Sequence, residues 1–226
     1  MTIILAAALK ECAVLVADSF QHHLADKIIV QVDKTHVISP HIVGGKFGYS
    51  NGAANSVWSE LKALPLSDRT SIHRLLDQTV GLGKPIYEEC RALFADNGEG
   101  DYGLTFIFAS WDETNGSGIH WIDFKNGDGI PNSVWYRDSA GIQVLAVGPD
   151  GSQSIATECA RSNFVETPPE MRLDIGLWAA ETIANANQLP GLPLGLPAYS
   201  RIVDNRGDHH HLIDASYAAG DLVHAV

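Results

Sequence analysis

Threonine at position 2 is the first residue in this chain whose type and place could do chemistry. Initiator Met is normally removed when the next side chain is small, and its removal is expected to be the only maturation step here. Thr2 would then carry a hydroxyl beside a free α-amine, a self-contained pair of nucleophile and base. An α-amine has a reference pKa of about 7.7–8.0, so it is partly neutral at cell pH and can take the hydroxyl proton. A neighbouring cation would lower that pKa further, and a carboxylate would hold the cation in place. Asp18 and Lys34 are the candidates for those two parts. Lys27, which also begins a strand-like run, is a rival to Lys34.

The elements that must position these residues can be read from hydrophobic pattern. Residues 2–9 and 12–18 are apolar runs of strand length, separated by Lys10-Glu11. Each is apolar at odd and even positions alike, so each strand is buried on both faces. A tight turn at Lys10-Glu11 pairs the runs antiparallel, with pair numbers summing to about 21. Asp18 then falls opposite Ile3, beside Thr2.

Beyond them, strands are expected over 28–32, 35–38 and 41–43, leading into Gly44-Gly45. The period then becomes helical, with Ala54, Val57, Trp58 and Leu61 on one face and Ser50 or Asn51 as cap. Second and third helices are expected at about 68–80 and 85–95, separated at Gly81-Leu82-Gly83. Strands follow at about 103–110, 118–124, 133–137 and 142–147, then helices at about 152–163 and 169–187. Residues 189–197, rich in Pro and Leu, read as a stiff loop, with final strands near 199–204 and 210–214.

Strands and helices in segregated blocks argue for an α+β layered domain, and doubly buried strands between helical blocks predict a four-layer αββα sandwich. Residues 1–226 are expected to form one domain, with 206–226 as a C-terminal strand and tail.

Composition excludes several functions. The chain has 226 residues, 15 Lys and Arg against 27 Asp and Glu, and a net charge of −12. Such acidity opposes binding to nucleic acid phosphates or to an anionic membrane. Cys12, Cys90 and Cys159 cannot make a complete disulfide framework, which points to a cytoplasmic location. The apolar start lacks a basic flank and ends at Lys10-Glu11, well short of a membrane span.

Other constellations read as structural. A phosphate loop at Gly44-Gly45-Lys46-Phe47-Gly48 would need Gly where Pro40 stands and Ser or Thr where Phe47 stands. His22-His23 and His209-His210-His211 invite a zinc reading, but neighbouring strand residues face opposite ways. The acidic turns at Asp96–Asp101 and Asn126–Asp128 lack calcium-loop spacing. Cys12 has no orienting His close in sequence. No metal and no cofactor are expected.

Taken together, the segments Thr2-Ile3-Ile4, Val14-Leu15-Val16-Ala17-Asp18, Lys34, and Val43-Gly44-Gly45-Lys46-Phe47-Gly48 resemble the proteasome β-subunit class of N-terminal-nucleophile (Ntn) hydrolases, including the peptidase subunit of the bacterial two-component ATP-dependent protease. Thr2, Asp18 and Lys34 stand sixteen and then sixteen residues apart, as that resemblance requires. Phe106 to Asp112 with Gly118 to Asp123 is similar to the family's central hairpin, and Ala146-Val147-Gly148 to the entry of its third helix. The resemblance covers about residues 2–205.

It implies Thr2 as nucleophile with its own amine as base, Lys34 tuning that base, and Asp18 anchoring Lys34. It further implies the Gly45 N–H as oxyanion donor and Ser152 as support for the amine, although Gly148-Pro149-Asp150-Gly151-Ser152 is two residues longer than the family pattern. The implied protein is a threonine protease subunit of a proteasome-like ring or helical homo-oligomer. Its substrates would be unfolded polypeptides, delivered where needed by an ATP-dependent unfoldase. Two rivals stand beside it: a catalytically silent assembly subunit, and an Ntn hydrolase of small amides.

Overall fold

The computed structural model describes residues 2–23, 28–48, 52–65, 71–96, 103–124, 127–149, 151–167, 170–173, 175–189 and 194–213. The chain opens with β1 (Ile4–Ala8) and β2 (Ala13–Asp18), whose every residue is buried. They pair antiparallel with Ile4 opposite Ala17 and Ala8 opposite Ala13. That register keeps the sum of 21 set by the Lys10-Glu11 turn. The Asp18 N–H then donates to the Ile3 carbonyl at 3.2 Å, which carries the second strand's end to the start of the first.

Further elements are β3 (Phe20–His23), β4 (Ile28–Gln31), β5 (Thr35–Ser39), β6 (Ile42–Gly48), α1 (Gly52–Lys62) and α2 (Ser71–Asp96). After them come β7 (Leu104–Asp112), β8 (Gly116–Asp123), β9 (Ile130–Trp135), β10 (Gln143–Val147) and α3 (Ser152–Asn163). The described chain ends with β11 (Phe164–Thr167), β12 (Glu170–Leu173), α4 (Ile175–Ala186), β13 (Ala198–Asp204) and β14 (Gly207–Ile213). One five-stranded sheet has the order β10-β1-β2-β13-β14 and another β5-β6-β7-β8-β9, while β3-β4 and β11-β12 form two-stranded ribbons.

Strand alternation divides the core. Ile4, Ala6 and Leu15 on one sheet meet Val43, Ile107 and Ala109 on the other. Their sequence neighbours Leu5, Val14 and Val16 pack instead with Ala156 and Ala160 of α3 and Trp178 and Ile183 of α4. Phe106, Phe108 and Ile122 turn away from the first sheet and pack with Trp58 of α1 and Leu75 and Cys90 of α2.

The expected fold class needs correction. The described chain is mostly antiparallel β, with strands at 44% and helices at 32%, and is not a clear four-layer αββα sandwich. Two ribbons stand outside both large sheets. Helical cover of the outer strands is incomplete: Ile130 on β9 is 65% exposed and Leu212 on β14 is 55% exposed. The doubly apolar β1 and β2 are the reason for the mismatch. They require cover on both faces, but β14 at the edge of their own sheet and β9 at the edge of the other do not.

Two helix boundaries also differ from expectation. Residues 71–96 form one helix through Gly81, Gly83 and Pro85 rather than two. Leu75, Leu76, Ile86, Tyr87 and Cys90 all bury along it, so tertiary packing overrides the local breakers. The helix expected from 169 begins at Ile175, because β12 pairs back on β11 first. The cap residues Ser50 and Asn51 lie outside the described residues, as do the turn at 97–102 and the tail beyond 213. Among the described residues no helix is long and apolar enough to cross a membrane.

Candidate active site at the start of the first strand

Asp18 is the hub of this region. It sits at the last position of β2 with its side chain fully buried. Oδ1 accepts the Ile3 N–H at 2.9 Å and the Lys34 ammonium at 2.9 Å, and Oδ2 accepts the Phe20 N–H at 3.1 Å. Hence one carboxylate ties the residue after Thr2, the turn into β3 and Lys34 together. Lys34 also donates to the Phe20 carbonyl at 2.5 Å.

A buried charge pair persists only when further hydrogen bonds satisfy it, and this one has them. Burial pushes the Asp18 carboxyl up from its ordinary value, opposed by Lys34 and by the Ile3 and Phe20 N–H groups. Burial likewise pushes the Lys34 ammonium down, opposed by Asp18. Nearby Lys46 is lowered to about 8, first by burial and then by the Lys34 charge.

Gly45 lies inside β6, opposite Thr35 on β5 and Ile107 on β7. A Cβ at Gly45 would fall 3.1 Å from Ile4 Cδ1 and 3.4 Å from the Lys34 carbonyl oxygen. Glycine therefore lets β6 run close against the first strand and the Lys34 backbone. Ser152 begins α3, is buried, and donates its hydroxyl to the Pro149 carbonyl at 2.7 Å. A Cβ on Gly148 would meet Ser152 Oγ at 2.6 Å, Ile3 Cγ1 at 3.2 Å and the Thr2 carbonyl oxygen at 3.5 Å. Gly148 thus separates Ser152 from the first residues of the chain.

Asp18 and Lys34 are in direct contact, and Asp18 is tied to Ile3, the residue after Thr2, while Gly45 and Ser152 border the same region from β6 and α3. Lys27, the rival cation, lies outside the described residues, as does Met1. The side chains of His22 and His23 are also outside them. His209 turns to Asp204 at 3.2 Å and His210 to Asp33 at 3.5 Å. Among the described residues, no group of three or more His, Cys, Asp or Glu could hold a metal ion.

Sequence reading missed three participants. The Phe20 carbonyl is a backbone group and leaves no trace in residue type. Lys46 was visible beside Gly45, but nothing local shows its burial. Arg201 reaches the residues on either side of Lys34 from 168 positions away from Asp33, a proximity created only by strand order.

Comparison with solved structures supports a proteasome-like, Ntn-type fold. The chain is similar to Anbu, in the structure of its Gly-1 mutant from Hyphomicrobium sp. strain MC1, with a TM-score of 0.62 over 97% of this chain and 91% of that one. Identity between the two is 15%, so the likeness is one of fold alone. No family model and no curated protein matches the chain.

These findings correct the resemblance to proteasome β-subunits and the bacterial peptidase subunit. Anbu is a solved structure of similar fold, and no family model matches. An apolar first strand and a glycine at its crowded crossing with β6 are demands of packing.

Proposed function

We propose that this chain is a threonine-type peptide hydrolase that uses Thr2 as its nucleophile once Met1 is removed. The observation that supports the reading best is the single Asp18 oxygen that accepts both the Lys34 ammonium and the Ile3 N–H, each at 2.9 Å. It brings a buried cation to the residue that follows the proposed nucleophile.

In the proposed reaction the Thr2 hydroxyl adds to a peptide carbonyl while its proton passes to the α-amine, directly or through a water. The Lys34 charge keeps that amine neutral enough to act as base. The oxyanion would be met by a backbone N–H at Gly45. The leaving amine takes the proton, and an ester to Thr2 Oγ remains. Water then adds to the ester, again with the amine as base, and frees Thr2. Ser152 would support the amine from the α3 side.

The enzyme is proposed to act as a self-compartmentalising homo-oligomer, which would limit its substrates to unfolded chains. Fold likeness to Anbu is consistent with this, and an ATP-dependent unfoldase would be the natural supplier of such substrates.

A peptide epoxyketone, which bridges a hydroxyl and an adjacent free amine, tests the reading directly. Intact mass should show loss of Met1 and one adduct per chain, mapped to Thr2 and absent in Thr2→Ala. Retention of Met1 in protein from its own host would end the proposal. Hydrolysis of small amides without any peptide cleavage would favour the small-amide rival, and a Met-free chain without adduct or turnover would favour the silent one.

A further inference from the structure

The two residues flanking Lys34 are gripped from another strand. Arg201 on β13 donates from Nε to Thr35 Oγ1 at 2.8 Å and from Nη2 to Asp33 Oδ2 at 3.3 Å. Its Nη1 donates to Asp208 Oδ2 on β14 at 2.8 Å. Asp33 Oδ1 in turn accepts the Thr35 N–H at 2.8 Å and the Thr35 hydroxyl at 2.5 Å. The Arg201 side chain is only 14% exposed. We infer that Arg201 is a positioning residue for the proposed site: by holding Asp33 and Thr35, the residues before and after Lys34, it fixes the backbone from which Lys34 reaches Asp18 and the Phe20 carbonyl.

The physical case rests on the closed local backbone and on stiffness. Asp33 and Thr35 are the chain neighbours of Lys34, and Asp33 Oδ1 closes back on the Thr35 N–H, so a grip on both fixes the backbone of residue 34 between them. A lysine side chain is long and loses about 2 kcal/mol of rotamer freedom when fixed, so its backbone must not drift if the ammonium is to stay in place. A planar guanidinium with three fixed partners restrains geometry in a way that an exposed ion pair does not. Among the described residues, Asp18 from β2, the adjacent Asp33 and Lys46 from β6 are charged groups near Lys34, and Arg201 adds positive charge to that neighbourhood. Position and charge must therefore be separated by experiment. The catalytic meaning of the inference rests on the proposed function; the aiming of Lys34 does not.

Trace acylation of lysines at a series of pH values, read peptide by peptide by mass spectrometry, gives the titration of Lys34 in the full chain. Arg201→Lys keeps the charge and loses the fork, and Thr35→Val removes one hydroxyl without changing charge. Both should move the Lys34 titration upward by about one pH unit as the ammonium gains water, a tenfold change in its neutral fraction. Arg206→Met, which removes a 75% exposed arginine on the same hairpin, should leave it unchanged.

In active protein the first two variants should also shift the pH profile of kcat while KM holds. Wild-type Lys34 titration in both Arg201→Lys and Thr35→Val would overturn the inference, leaving Arg201 as a hairpin staple or a source of charge only. If wild-type protein neither hydrolyses peptides nor takes the epoxyketone, the proposed function fails while the labelling still decides the role of Arg201.

Discussion

At the scale of residues, Asp18 and Lys34 bind each other's fate to that of the fold. Asp18 has a fully buried side chain and Lys34 a side chain only 10% exposed. Removing one member of such a pair strands the other, at a cost of about 3–5 kcal/mol. Lys34→Met leaves Asp18 with the Ile3 and Phe20 N–H groups. Asp18→Asn leaves an ammonium with the Phe20 carbonyl and weaker company. The double substitution strands neither charge and should destabilise by clearly less than the sum of the two singles. Urea unfolding of the four proteins checks this, and additivity within about 0.5 kcal/mol would show the pair to be uncoupled. Thr2→Ala, by contrast, is expected to leave stability within about 0.5 kcal/mol of wild type while removing any peptidase activity, because Thr2 is only part-buried at the chain's start. The Asp18–Ile3 contact was legible in sequence because a hairpin is counted outward from its turn. Lys34 was singled out by the spacing of the family resemblance, with Lys27 as its rival, and its contact with Asp18 is visible only in the fold. The company of Arg201 was not legible, since nothing near residue 201 points back to residue 33.

At the scale of elements, α2 shows where local signals lose to packing. Gly81 and Gly83 look alike in sequence, and together with Pro85 they predict a break. In the folded chain they occupy different surroundings. A Cβ at Gly81 meets nothing within 4 Å, whereas one at Gly83 would come within 2.5 Å of Phe124 Cζ and 2.7 Å of Phe124 Cε2. Gly81→Ala should therefore stabilise the protein by about 0.5–1 kcal/mol through helix propensity and reduced freedom of the unfolded chain. Gly83→Ala gains the same propensity but forces a ring that is fully buried between Phe106 and Tyr87 to move. Overpacking of about 1–3 kcal/mol should outweigh that gain and leave the variant less stable than wild type. Thermal denaturation of the two variants should thus move in opposite directions. Equal shifts would mean that Gly83 is no tighter than Gly81. The same contrast explains the corrected class. Apolar runs announced the doubly buried strands, but the β11–β12 ribbon and the exposed faces of β9 and β14 depend on which strands end at an edge. Pairing order decides that, not the composition of any one strand.

At the scale of the whole molecule, pH reports on histidines that the fold keeps neutral. His120 is fully buried in β8, with Nε2 2.7 Å from Ser110 Oγ on β7 and Nδ1 2.8 Å from Ser133 Oγ on β9. The ring therefore ties three adjacent strands of the second sheet. Neutral imidazole offers one donor and one acceptor, and each hydroxyl can rotate to match. Burial is the main cause that pushes its pKa down to about 3, and the His73 charge adds to it. His36, stacked on Trp58, is lowered to about 4 for the same leading reason. Between the ordinary value of about 6.5 and these depressed values, the unfolded chain binds protons that the folded chain refuses. Stability is thus fully present above pH 6.5 and falls as pH drops through that window. His120 alone should cost about 2 kcal/mol between pH 6.5 and pH 5, at 1.36 kcal/mol per unit. His120→Gln keeps an amide between the two serines and removes the titration. It should be less stable than wild type at pH 7 yet lose less stability on going to pH 5. Urea midpoints at the two pH values, compared between the proteins, measure the difference. An identical pH dependence in the variant would show that His120 is not the neutral tie across the second sheet.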